Sequence, residues 1–143
     1  MDEPERLTFT FCPWPDPLID PYGQHPDGDW SRLAWLPVIG PSSWLVWGTL
    51  TRQLHHDPQV TWDLGELAVT HGLVGGTGRS SVIRRTISRL CQFHILAPLD
   101  GDDRYLVRMT APPLSHRQLR RLPDWVAELQ RQIFVETTRR QTA

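Results

Sequence analysis

Between Gly75 and Phe93 the chain reads GGTGRSSVIRRTISRLCQF, and the side chains able to do chemistry there are arginine, serine and glutamine. At helical spacing, Ser81, Arg84, Arg85, Ser88 and Gln92 fall on one side, and Ile83, Ile87 and Leu90 fall on the other. Guanidinium, hydroxyl and amide groups pair with phosphate oxygens and with base edges in a DNA major groove. None of the side chains on that face is acidic. The chemistry on offer is therefore recognition of a polyanion; an arginine-rich solvated helix face has the same residue pattern in isolation.

Such a face needs a helix to carry it. The glycine-rich turn delivers the chain to Ser80 and Ser81, either of which can cap a helix by accepting from an orphan backbone N–H. Upstream, Gly40-Pro41 breaks the chain, and Ser42 or Ser43 is expected to cap a helix from about Ser43 to Leu54. Val46, Trp47, Leu50 and Leu54 line its inner side, and Trp44 and Leu45 widen the stripe, so the helix is expected to be buried on most sides. Tryptophans at this spacing read as core rather than as a base-stacking surface. Val60 to Trp62 can form a short strand. Asp63 and Glu66 then resemble a capping box that opens a second helix with Leu64, Leu67 and Ala68 inward, stopped by Gly72. After Phe93, His94 to Leu99 reads as a strand, Asp100 to Asp103 as a turn around the Asp-Gly pair, and Arg104 to Thr110 as a returning strand.

Helix, short strand, helix, helix, hairpin is the order of a winged helix, and residues 43 to 110 resemble a bacterial winged helix-turn-helix domain. The resemblance rests on that order and on DLGELA…SSVIRRTISRL…DGDDRYLV. It implies a recognition helix from Ser81 to Phe93 that enters the major groove, with Arg84, Arg85, Ser88, Arg89 and Gln92 as readers. It implies a wing from His94 to Thr110, with Arg104 and Arg108 on phosphates. Arg79, Ser80 and Ser81 at the mouth of the helix complete the candidate DNA-binding set. The stretch WLPVIGPSSWLVWGTL is similar to the opening of winged helix domains in bacterial primosomal replication-initiation proteins, which keeps replication or plasmid maintenance open. Asp100, Asp102 and Asp103 depart from the pattern, because they would repel phosphate at the wing tip.

The flanks frame this unit. Residues 1 to about 30 are crowded with proline, glycine and aspartate, and an irregular arm is expected there rather than a helix or an interior strand. Its aromatics (Phe9, Phe11, Trp14, Tyr22 and Trp30) imply that it docks on the body of the protein, on a second copy or on another partner. Residues 112 to 143 hold an S-x-x-Q capping box at Ser115 and Gln118, and Pro123, where a helix could begin or kink. Beyond it lies a stripe of Leu122, Val126, Leu129 and Ile133 with Trp125 beside it, ending in a TTRRQTA tail expected to fray. That stripe can pack on the first helix or pair two subunits, and a homodimer through it and the arm is the expectation. The organisation expected is thus an arm over 1–40, a winged helix domain over 41–111 and a helical extension over 112–143, mainly α with a small β-hairpin.

Charge supports a polyanionic partner. The net charge of −1 conceals a split: residues 1 to 40 hold seven acids against two arginines, whereas residues 79 to 121 hold nine arginines against three acids. Local field, not overall charge, steers nucleic acid. All fifteen basic residues are arginine. Cys12 and Cys91 stand in no CxxC pair, and neither His55-His56 nor Cys91 with His94 completes a ligand set, so no metal or cofactor is expected. GGTGRS lacks the lysine of a P-loop, and no serine or histidine stands in a nucleophile motif, so an enzyme is not expected. No charged-then-apolar leader and no run of roughly 18 apolar residues is present, and a cytoplasmic setting off the membrane is expected. The expected function is double-stranded DNA binding, as a transcriptional regulator. The alternative is a winged helix used as a protein-interaction module, with arm and C-terminal helix clasping another protein.

Overall fold

The computed structural model describes residues 7–101 and 103–142, with the side chains of residues 141 and 142 outside that description. Asp2, Glu3, Glu5 and Arg6 of the acidic N-terminal count and Asp102 of the hairpin tip also lie outside it. The described chain is an α/β arrangement of six helices and one four-stranded sheet. Strand β1 spans Thr8–Trp14, and helices α1 and α2 span Asp29–Ile39 and Pro41–Leu54. Strand β2 (Val60–Asp63) leads into helices α3 (Leu64–Thr70) and α4 (Val82–Gln92). The hairpin strands β3 (Leu96–Pro98) and β4 (Arg104–Arg108) follow, and then helices α5 (His116–Leu119) and α6 (Asp124–Thr142). Among the described residues no helix is long and apolar enough to cross a membrane.

The sheet corrects the expectation of an irregular N-terminal arm. Its order is β2-β1-β4-β3, so β1 is an interior strand, antiparallel to β2 and parallel to β4. Thr8 to Cys12 contain no proline, and their alternation puts Phe9 and Phe11 into the core, with Phe11 wholly buried. Phe9 and Phe11 meet Tyr105 of β4 at centroid distances of 5.5 and 5.8 Å. Pro13 falls near the strand end, where a lost donor matters least. The hairpin is therefore half of a larger sheet, and the fold holds more β structure than a wing alone.

Helix α1 lies within the same segment and was likewise not expected. Trp30, Ala34, Trp35 and Ile39 are its buried apolar residues, Ser31 is buried beside them, and Pro37 lies in its last turn. The loop between β1 and α1 docks on the body as well: Gln24 and Ala111 exchange backbone hydrogen bonds of 2.9 and 2.6 Å.

Tryptophans anchor the core. Trp47 is fully buried and its indole N–H donates to the Arg108 carbonyl at 2.8 Å, while that of Trp35 donates to the Pro112 carbonyl at 2.8 Å. The two rings meet edge to face at 5.9 Å. Helix α2 buries Val46, Trp47, Leu50 and Leu54 and is buried on most sides, as expected, with Leu45 and Arg52 among its few exposed residues. It starts earlier than predicted, with Gly40 as N-cap and Pro41 in the first turn, and no serine caps it. Leu64, Leu67 and Ala68 of α3 are buried, and the Asp63 carboxylate accepts from Glu66 N–H at 3.0 Å.

At the C-terminal end, Ser115 and Gln118 form both halves of the capping box. Pro123 precedes a new helix rather than kinking an old one. Val126 of α6 is buried, Leu129 and Ile133 pack on the core, and Phe134 meets Trp30 edge to face at 6.0 Å. The Gln130 amide both donates to and accepts from the backbone of Leu114. The apolar stripe thus packs largely on the protein's own body, chiefly α1 and α5, and α6 runs from Asp124 to Thr142.

Candidate nucleic-acid interface

Helix α4 is positioned by its start and its back. Ser81 is the N-cap, its hydroxyl accepting from Arg84 N–H at 3.3 Å, and Ile83, Thr86, Ile87 and Leu90 are buried. With the apolar side fixed, Arg85, Ser88, Arg89 and Gln92 are exposed along one edge, and Arg79 and Ser80 are exposed in the turn before the helix.

The predicted site residues separate into those that face solvent and those that hold the fold. Ser81 is buried and committed to the cap. Arg84 turns back: its Nε donates to the Thr77 carbonyl at 3.0 Å and its guanidinium lies 5.7 Å from the centre of the Phe9 ring. It braces the glycine turn against β1. Arg89 is exposed, yet it donates to the Val38 carbonyl at 3.2 Å, which sets its guanidinium beside the end of α1. Arg104 is exposed at the start of β4.

Arg108 corrects the expectation of a phosphate contact on the wing. Its side chain is only 11% exposed, donates to Asp16 at 2.9 Å and to the His94 carbonyl at 3.1 Å, and lies over Trp14 at 4.3 Å. The Arg108 guanidinium holds the Asp16 carboxyl below the usual carboxylate range, helped by backbone N–H groups of Ile19 and Leu18. Cys91, on α4, has its thiol pushed up by burial and is the less nucleophilic for it.

Two clefts flank the exposed edge of α4. One, of about 490 Å³, runs between α4 and the α1–α2 corner, with Arg85, Ser88, Arg89 and Gln92 on one wall and Ser42 and Ser43 on the other. The second, of about 610 Å³, shares Arg89 and Gln92 and continues to Arg117, Gln118 and Arg121 around α5. Among the described residues no acidic side chain lines either one. Among the described residues, no carboxylate pairs with Arg85, Arg89, Arg117 or Arg121. Arg117 was not among the sequence candidates. The capping box that orients α5 was the available signal, but only the tertiary fold brings α5 beside α4.

Asp100 and Asp103 are exposed at the hairpin tip, and Arg52 pairs with Asp27 on the far side of α2. Among the described residues no three His, Cys, Asp or Glu side chains gather in a group able to hold a metal ion. No family model, curated protein or solved structure matches this chain.

Proposed function

We propose that this chain binds double-stranded DNA as a winged helix-turn-helix protein and acts as a transcriptional regulator in the cytoplasm. Helices α2, α3 and α4 form its helical part, and β3 and β4 form its wing. The observation that carries this reading is the edge of α4: among the described residues no carboxylate pairs with Arg85 or Arg89 and no acid lines the two clefts beside them, which Ser88, Gln92, Arg117 and Arg121 also line. Arginine forks suit phosphate and guanine, and glutamine suits adenine. Arg85, Ser88 and Gln92 are the base readers, whereas Arg89, Arg117 and Arg121 follow the backbone.

The test is a gel-shift series over salt concentration with a pool of random-sequence duplexes. The expected result is a log affinity that falls linearly with log salt, by about 0.9 per phosphate contacted. A flat response overturns the reading.

A second reading has one observation in its favour. Trp125 and Val135 are exposed on α6, beside an apolar groove of about 790 Å³ between α5 and α6. A partner protein or a second copy seated there would make the fold an interaction module. Pull-down in the presence of nuclease separates the two readings, because a partner held through DNA is lost and a direct one is kept.

A further inference from the structure

The cleft of about 610 Å³ between α4, α5 and the end of α1 carries two kinds of surface. Phe93, Leu122 and Val38 line it with half-buried apolar side chains that also pack on the core. Arg89, Arg117 and Arg121 line it with guanidiniums, and among the described residues none of the three pairs with a carboxylate. Like charges gathered in one concavity repel one another, and an anion that enters relieves all three.

Arg89 joins the two surfaces. Its Nη2 donates to the Val38 carbonyl at 3.2 Å, and its guanidinium lies 5.8 Å from the centre of the Phe93 ring. Held at two points, this planar cation is placed before any ligand arrives, which lowers the cost of binding one. Flat rings stack on guanidinium planes and on aromatic faces. The cavity falls within the range of small-molecule sites, roughly 300–1,000 Å³, and a bare phosphate ion would fill only a small part of it. An ion alone would leave the apolar wall wet, and a ring alone would leave three cations unpaired. A phosphate ester answers both surfaces, because its near-double charge and three free oxygens can engage more than one guanidinium fork.

We infer that this cleft binds a small aromatic phosphate ester, its ring against Phe93 and Leu122 and its phosphate among Arg89, Arg117 and Arg121. Binding itself does not depend on the DNA reading above. Its consequence does, because the same three arginines are there assigned to the DNA backbone. On that reading the ester and the duplex compete for one set of cations, and the ester releases the DNA.

The experiment is titration of the full chain, labelled with ¹⁵N, with phenyl phosphate, and separately with inorganic phosphate and with benzyl alcohol, at constant ionic strength. Phenyl phosphate is expected to move the Phe93 and Leu122 amides saturably. Inorganic phosphate should bind about tenfold more weakly, the scale of burying one ring, and benzyl alcohol should leave both amides still. Arg117→Gln and Arg121→Gln are each expected to weaken the ester by about tenfold, the scale of one hydrogen bond to a charged group. Arg32→Gln, at an exposed position of α1 outside the cleft, should leave its affinity unchanged. Equal affinity for the ester and for inorganic phosphate overturns the site, and so does a loss in Arg32→Gln as large as in the two cleft variants. Duplex DNA is then added to the ester complex. Mutual displacement supports both the cleft and its competition with DNA. If the ester binds and a bound duplex stays in place, the competition is wrong and the cleft stands by itself. If the ester binds and the chain binds no duplex, the cleft stands and the DNA reading falls. If duplex binds while the ester moves neither amide, the DNA reading survives and the cleft proposal is wrong.

Discussion

Arg108 and Asp16 lie far apart in sequence and form a 2.9 Å ion pair that pins the loop after β1 to the end of β4. The guanidinium also covers Trp14, and Thr110 next along donates its hydroxyl to Asp20 at 2.9 Å. The contact reads as a clasp between the N-terminal segment and the hairpin.

Breaking the clasp should cost stability and leave nucleic-acid affinity alone. Arg108→Ala loses the ring contact, worth about 0.5–2 kcal/mol, besides the ion pair. The folded Asp16 carboxyl has a depressed pKa, so its contribution is fully present above the unfolded value of roughly 3.9 and is lost as pH falls through the folded value. Thermal melts from pH 6 down to about pH 2 should show the wild type losing its advantage over Asp16→Asn below about pH 4. Parallel curves would show that the pair does not act this way.

On α4 the two adjacent arginines should behave differently. Arg85→Ala is expected to lose about 1–3 kcal/mol of binding to the preferred duplex, with relaxed sequence preference. Arg84→Ala should instead lower the unfolding midpoint, because its partners are the Thr77 carbonyl and Phe9. Gel shifts and melts on the same two variants check both halves. Equal effects of the two on binding would erase the distinction.

Along the backbone track, Arg117→Gln and Arg121→Gln should each reduce the slope of log affinity against log salt by about 1, with no change in sequence preference. Binding isotherms at four or more salt concentrations measure this directly. An unchanged slope removes α5 from the contact.

Phe11 is wholly buried between β2 and β4, and Phe11→Ala should cost about 3–5 kcal/mol. Urea unfolding is the measurement. A cost below about 1 kcal/mol would mean that the sheet holds without the N-terminal strand, since even one buried methylene is worth about 0.8.

Gly40 has room for a side chain, with nothing within 4 Å of an added Cβ, yet its backbone lies in a region essentially reserved for glycine. Gly40→Ala should therefore cost about 1–3 kcal/mol through the backbone alone. A melt unaffected by the substitution would show that the corner can relax to another geometry.

What the sequence made legible was local. Ser81, Asp63 and the Ser115–Gln118 pair cap the helices they were expected to cap, and the Asp-Gly turn joins β3 to β4 with Gly101 at φ 89°. These signals work because a cap or a turn is settled within a few residues. The spacing of Trp30, Ala34, Trp35 and Ile39 was a helical signal too, masked by the prolines on either side and by Pro37 within. Strand β1 was hidden for a different reason: its partners are residues 60 to 63 and 104 to 108, and no local pattern names a partner so far away. The roles of the arginines were hidden likewise. Arg84 and Arg85 carry the same chemistry side by side, and the nearness of Phe9 and Thr77 makes the first a brace while the second stays exposed.

The parallel pairing of Thr10 with Arg104 also sets an order of events at the ribosome. The first strand of the sheet leaves the exit tunnel long before its neighbour has been made. Until then Phe9 and Phe11 lack half their seat and the strand keeps an unsatisfied edge. A nascent chain in that condition is a target for chaperones and for mispairing with other chains. Translation speed over the helices in between should therefore govern how much of this protein reaches its native state.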